Sequence, residues 1–393
     1  MVAVVTDVHY RMSLALIRDL GQAGVRVITC ERSGQRPAPG AVSRWSARHV
    51  WLPDDRWPEA LAELCRKTGE QYGCRPALLP VGAASLSMLA DRTEEFSAIS
   101  GLCIPARRQL DLLNSKSGLS ELAARLQIPV PESFRVRGNE TIQEFSARIP
   151  LPCVIKPVCG EKLGLPAESR YIIARTPAEA GAAYQHFLTL AKEPPVVQAW
   201  LSGGGLGCSV LAQDGKVQAV ISHRRLREYP LSGGPSTCCR CENRPDLLEL
   251  VSRIVSEIRL TGLSMFEFKE DSQGRPYLLE ANPRIWGTFP LTRAAHSNIP
   301  LLWCTLSWNA GNPDAPMPRP SLPQPLPRKM VFAASDLTGG AIQLRHGHPI
   351  ETVHAILDVL NPAVPDGLFE LRDPRPGMAY LKSVLFRHGN NKN

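Results

Sequence analysis

With 393 residues, 44% of them hydrophobic and 21% charged, the chain is long enough for two or three globular cores and too balanced to be disordered or fibrous. Its formal charge of +8 comes from scattered Lys and Arg rather than from a basic run, which speaks against nucleic acid and suits a pocket for an anionic small molecule. The late apolar run IPLLWCTLSW, from Ile299, falls far short of the ~20 residues that span a bilayer, no secretory pattern opens the chain, and eleven irregularly spaced cysteines point to reduced thiols in a cytoplasm.

VAVVTD, RMSLALIRDLGQAG and VRVITC predict a strand, a helix closing at Gly21 and Gly24, and a second strand, an α/β unit with a parallel sheet. No G-x-G-x-x-G follows the first strand, which argues against a dinucleotide at that turn. PALLPVGAASLSMLADR repeats strand then helix, and a first domain is bounded near residue 105. Ser115 is the expected N-cap of a helix running to Gln127 and stopped by Pro129 and Pro131. LPCVIKPVCG and PPVVQAWLSGGGLG predict strands with polar residues at their ends, and SGGGLG reads as a lid or turn. DGKVQAVISHRRLREYPLSGG predicts a long strand entering a glycine turn. The three close cysteines Cys238, Cys239 and Cys241 lack the second paired set that zinc requires and read as small side chains in a loop. Pro245 to Leu260 reads as a helix. The proline-dense PDAPMPRPSLPQPLPRK predicts an extended linker or strap ahead of a C-terminal part of about 60 residues.

SMFEFKE and YLLEAN, joined by DSQGRP, predict an antiparallel hairpin. With the turn symmetric about Gln273 and Gly274, Glu267 lies opposite Glu280, and Leu278, Glu280 and Asn282 share a face. Facing acids repel, so a cation belongs between them. Mg²⁺ suits carboxylate oxygens together with phosphates, and Asn282 adds a neutral oxygen. Pro283 keeps Asn282 extended, and Arg284 follows as a fork for a phosphoryl oxygen. The plainer reading leaves both acids in solvent and Arg284 as a surface charge.

At Glu267, Glu280, Asn282 and Arg284 the sequence resembles the ATP-grasp superfamily, in its carboxylate–amine ligase and carbamoyl-phosphate-synthase-like branch. There an acid on one strand and E-x-N on the next hold the magnesium of MgATP, and the N-P-R arginine contacts the transferring phosphate. The resemblance covers residues 1–310 and implies an α/β (α+β) ATP-grasp fold. Its parts would be an N-terminal α/β pre-ATP-grasp domain, 1–105, grasp subdomains at 106–195 and 196–312, the second with the metal site, and a proline-rich linker with a small C-terminal extension, 313–393.

The resemblance also implies that Lys116 and Lys156 reach the nucleotide phosphates. A cation in a first helical turn, as at Lys116, is disfavoured by the dipole unless an anion binds there. Gln198 would meet the adenine edge, and the backbone near Trp200 and Leu201 would supply hinge hydrogen bonds. Many relatives carry glutamate in this short motif, so Gln198 and Ala199 leave the adenine contacts open. His223, Arg225, Arg227, Gly233 and Gly234 would bind the carboxylate or acyl phosphate, with an exposed basic strand as the plainer reading. By alternation Arg225 and Arg227 share a face with His223 and Arg224 points away.

The expected activity is that of an ADP-forming ligase using ATP and Mg²⁺, with Mn²⁺ as a substitute. Mg²⁺, Lys116, Lys156 and Arg284 would spread the charge of phosphoryl transfer, and an amine, or less often a thiol, would then displace phosphate from the acyl phosphate. Its partners would be small-molecule carboxylate and amine substrates, without nucleic acid or membrane, in the cytoplasm, with a homodimer left open. Bicarbonate-dependent carboxylation through carboxyphosphate and a non-catalytic nucleotide-binding regulatory protein stand as alternatives.

Overall fold

The computed structural model describes residues 1–158, 163–165, 169–231, 234–313 and 328–390, with side chains to 382. Its first sheet holds β1 (Val2–Val5), β2 (Arg26–Arg32), β3 (Ser46–Leu52) and β4 (Ala77–Leu79) in the order β3-β2-β1-β4, all parallel. The helices Ser13–Gln22 and Trp57–Tyr72 provide crossovers of the length that parallel strands require. Along β1, Ala3 and Val5 enter one core and Val2 and Val4 another, the mark of a sheet covered on both faces.

The second sheet is antiparallel, with β5 (Ser133–Phe134), β6 (Cys153–Lys156), β7 (Ile172–Ala174) and β8 (Val196–Ala199) in the order β5-β8-β6-β7. Cys153, Ile155 and Val197 pack with Phe145, Tyr184 and Phe187 of the helices Ile142–Arg148 and Pro177–Ala191. Side-chain alternation therefore leaves Val154, Lys156 and Gln198 on the opposite face.

The third sheet comprises β9 (Gly205–Gln213), β10 (Lys216–Glu228), β11 (Ser236–Cys241), β12 (Gly262–Glu270), β13 (Pro276–Asn282) and β14 (Lys329–Val331), ordered β13-β12-β9-β10-β11-β14. Cys238, Cys239 and Cys241 are buried in β11, in a strand rather than a loop. SGGGLG is not a lid: Gly203 N donates to Glu270 O at 2.9 Å and Glu270 N to Gly204 O at 3.1 Å, extending the β9–β12 ladder, and β9 itself starts at Gly205.

The proline-dense stretch falls mostly in 314–327, outside the described residues. The chain beyond it is woven into the rest of the molecule. β14 pairs with β11. Arg18, only 2% exposed, donates to Asp373 Oδ2 and to the Leu368 carbonyl, both at 3.0 Å. Among the described residues no helix is long and apolar enough to cross a membrane.

Candidate active site

Glu267 does lie opposite Glu280, but by a different route from a turn centred on Gln273 and Gly274. The strands start paired at Glu270 and Pro276, around a turn in which Asp271 N donates to Arg275 O at 3.0 Å, and a bulge at Leu279 then shifts the register by one. The bulge corrects a second expectation. Leu278 packs with Ala281 in the core, so it does not share a face with Glu280, because an inserted residue inverts the alternation on one side of it.

Across the sheet, Glu280 on β13, Glu267 on β12, Gly207 on β9 and His223 on β10 form one row, and Lys269 lies opposite Gly205 in the next. The two glycines leave β9 bare here. Arg225 lies across Gly205, where a Cβ would meet its Cδ at 3.1 Å, and its guanidinium pairs with Glu267. The His223 ring occupies the space that a side chain at Gly207 would need. Replacing Gly207 with Ala is therefore expected to destabilise the fold by about 1–3 kcal/mol through overpacking, read as a lower urea midpoint.

Part of the charge that the facing acids require thus comes from the protein, through Arg225. Asn282 Nδ2 bridges the two carboxylates, at 3.0 Å from Glu280 Oε1 and 3.3 Å from Glu267 Oε1, and its Oδ1 accepts from Arg284 at 3.2 Å. Burial pushes the Glu267 carboxyl up from the usual range, with Glu280 and Glu228 adding to it and Arg225 and Arg284 opposing. Glu280 stays exposed. Among the described residues no group of three His, Cys, Asp or Glu side chains gathers for a metal. With the Asn282 amide turned so that Oδ1 faces the carboxylates, the three side chains make an all-oxygen donor set that fits Mg²⁺, which commonly leaves its other positions to water and phosphate.

Lys116 opens the helix Lys116–Arg125, whose N-cap Ser115 accepts from Gly118 N at 3.1 Å, and its Nζ donates to Val158 O at 2.7 Å. Lys156 ends β6. Burial lowers its ammonium to about 8, the charge of Lys116 adds to the shift, and Glu280 opposes it. Both lysines and Glu280 therefore face one space between the second and third sheets. A polyphosphate favours the charged amine, so above pH 8 its binding must take up a proton. Nucleotide affinity is expected to fall about tenfold per pH unit above that point. Calorimetric titration against pH checks this, and Lys156→Arg, charged throughout, should flatten the dependence.

Gln198 shares the face of Lys156, and its Nε2 donates to Ser133 Oγ at 3.2 Å. The Trp200 N–H, expected to serve a bound base, already donates to Pro152 O at 3.2 Å, and Leu201 is buried at 9% exposure. Lys269 Nζ sits 4.1 Å above the Trp200 ring. Alternation puts Lys269 on the face of Glu267, yet nothing local to the sequence marked it as a site residue.

The basic strand divides. His223 is 2% exposed, its Nε2 lies 3.2 Å from Thr288 Oγ1, and burial followed by Arg225 pushes its imidazole down to about 3. A neutral, enclosed ring is not a cation for a carboxylate. A bulge at Leu226 separates Arg225 from Arg227, so the two do not share a face as alternation implied. Arg227 instead donates to Asp336 and Asp358, each at 2.7 Å. Arg224 does point away, to Glu242 at 2.8 Å and Glu270 at 2.6 Å. Gly234 is buried, its N–H donating to Pro230 O at 2.8 Å, and Gly233 lies outside the described residues.

Three sheets so arranged, with acids and lysines facing across the gap between the second and third, define an ATP-grasp fold. A family described as "ATP-grasp in the biosynthetic pathway with Ter operon" matches residues 192–323. Among solved structures, a biotin carboxylase from Campylobacter jejuni, in complex with β,γ-ATP, is similar with a TM-score of 0.60 and 13% identity over 80% of this chain and 72% of that one. The biotin carboxylase domain of Hydrogenobacter thermophilus 2-oxoglutarate carboxylase, with MgADP and bicarbonate, gives 0.58 and 16% over 81% and 71%. An L-amino acid ligase from Bacillus licheniformis gives 0.53 and 16% over 78% and 73%. The comparison with curated proteins finds no match. The family match spans residues 192–323, and the likeness to the solved structures shows that the chain has the ATP-grasp fold.

Proposed function

We propose that the protein is an ATP-dependent ligase that activates a substrate carboxylate as an acyl phosphate and joins it to an amine, releasing ADP and phosphate. The observation that carries this reading is the Glu267, Glu280 and Asn282 set facing Lys116 and Lys156 across one gap. Glu267, Glu280 and, with its amide turned, Asn282 would hold Mg²⁺, whose chemistry there is to neutralise and orient the β- and γ-phosphates. The chain's own groups do the rest. Lys116 and Lys156 bind phosphate oxygens, and Arg284, held by Asn282, offers its guanidinium to the transferring phosphoryl group. Arg225, lying on the same face, pairs with Glu267 and opposes the rise that burial imposes on its carboxyl.

The likeness to biotin carboxylases favours a second reading, phosphorylation of bicarbonate. The two are separated by which acid stimulates ADP release from purified protein and MgATP. An organic carboxylic acid that raises ADP release and, with hydroxylamine present, yields a hydroxamate supports the ligase. Stimulation by bicarbonate alone supports carboxylation, and ATP binding without acid-dependent ADP release removes both.

A further inference from the structure

The carboxyl edge of the parallel sheet, where open α/β sheets bind ligands, holds a histidine and a buried acid that the proposed chemistry has not used. Glu31, at the end of β2, has a side chain only 1% exposed. Three N–H groups meet its carboxylate: His9 N at 2.9 Å, Arg32 N at 2.9 Å and His9 Nδ1 at 2.7 Å. A carboxylate so placed only accepts, so Nδ1 carries a proton, and a ring without a second proton presents its lone pair at Nε2. No partner for Nε2 is found among the described residues, and the His9 side chain keeps 17% of its surface exposed.

The loop that carries His9 is held firmly. Asp7, at φ +54°, accepts from Gly82 N at 2.9 Å and Ser85 Oγ at 2.7 Å, a left-handed turn of the kind that structure retains where it serves a site. Val8 packs in one core with Ile285 and Trp286, the residues that follow Arg284. The Tyr10 ring lies against that of His9, 3.9 Å between centroids and tilted by 39°. Burial and Asp7 raise the Tyr10 phenol, while the charges of Arg284 and Arg32 pull it down, as expected for a loop at the edge of the phosphate site.

We propose that His9, oriented by Glu31, is the general base that takes the proton of the amine as it attacks the acyl phosphate. This rests on the ligase reading above. The amine nitrogen forms the C–N bond, the C–O bond to phosphate breaks with its electron pair leaving on phosphate, and the proton lost by nitrogen passes to His9 Nε2. Glu31 is a positioning residue that fixes the ring and stabilises the imidazolium. The acceptor is then an amine that arrives at the carboxyl edge of β1 and β2.

Hydroxylamine separates the two half-reactions, because it is a neutral and strong nucleophile near neutral pH and needs little help from a base. Full-length protein, MgATP and the proteinogenic amino acids, as carboxylates and amines together, are incubated with and without hydroxylamine, and dipeptide and hydroxamate are measured by mass spectrometry. His9→Gln is expected to lower the dipeptide-to-hydroxamate ratio by about 10²-fold. Glu31→Gln should lower it about tenfold and shift the pH profile of dipeptide formation alone. An unchanged ratio in a folded His9→Gln protein, or loss of both products in step, overturns the proposal. Should that variant not fold, His9→Asn, whose amide can keep a bond to Glu31, takes its place. A wild-type protein that forms neither hydroxamate nor acid-dependent ADP removes the ligase reading and this proposal with it, whereas hydroxamate without a His9 effect removes only the proposal.

Discussion

Glutamine in place of Glu280 is expected to lower ATP turnover by about 10²- to 10³-fold, the size of loss seen when one preorganised charge-stabilising group is removed, while nucleotide affinity falls only about tenfold. The asymmetry follows from the site. Glu280 is exposed and its nearest partner is the Asn282 amide at 3.0 Å, a contact that a glutamine side chain can keep. Removing its charge also relieves the repulsion with Glu267, so the fold should not weaken. Lys116 and Lys156, proposed to hold the phosphates, would remain. On the proposed reading, what would be lost is one anionic oxygen for the metal at the moment when charge develops on the transferring group. Steady-state ADP release and calorimetric nucleotide titration on the same preparation decide it. Equal losses in both would reassign Glu280 to binding, and no loss in either would remove it from the site. Glu267→Gln is a poorer probe, because it takes away the nearer of the two acids paired with Arg225 and leaves that charge with Glu228 at 3.7 Å.

Methionine in place of Arg227 is expected to cost about 3–5 kcal/mol of stability, the range for breaking a buried ion pair from one side. Asp336 has no side-chain exposure and Asp358 only 10%, and both would lose their guanidinium. Thr237 and Lys329 would still reach Asp336 and Asp358, at 2.7 Å and 2.6 Å, which keeps the loss near the lower end of that range. Burial alone would raise the Asp358 carboxyl, but hydrogen bonds from Lys329 and Arg227 outweigh it and hold it below its usual value. A carboxyl depressed by folding contributes stability above its unfolded value of about 4, and loses it as pH falls through the folded value. The gap between wild type and variant should therefore narrow in acid. Urea unfolding at neutral and acidic pH measures both effects. Were Arg227 a substrate contact, the variant would keep its stability and change only the response to substrate.

Several features of the site were legible from local pattern. Alternation and a polar turn put Glu267 opposite Glu280, Ser115 marked the helix start that carries Lys116, and an apolar run ending in lysine marked Lys156. Each depends on a few neighbouring residues, and the physics that sets them is local: strand pleat, capping and turn chemistry. The flat glycine floor at Gly205 and Gly207 was present in SGGGLG, but the same letters suit a loop, and only the pairing of β9 with two strands tells them apart.

The separate fates of the basic residues were beyond local reading. Arg225 and Arg227 look alike in sequence, yet a single bulged residue sends one to Glu267 and the other to aspartates more than a hundred positions downstream. The partnership of His9 with Glu31 arises in the same way, from two parallel strands brought side by side by a crossover helix. Periodicity determines which residue types a strand offers to its two faces. Register slips of one residue, and the charges that distant segments bring to those faces, are settled only when the sheets assemble, because the energy that selects them lies in burial and pairing between segments far apart in the chain.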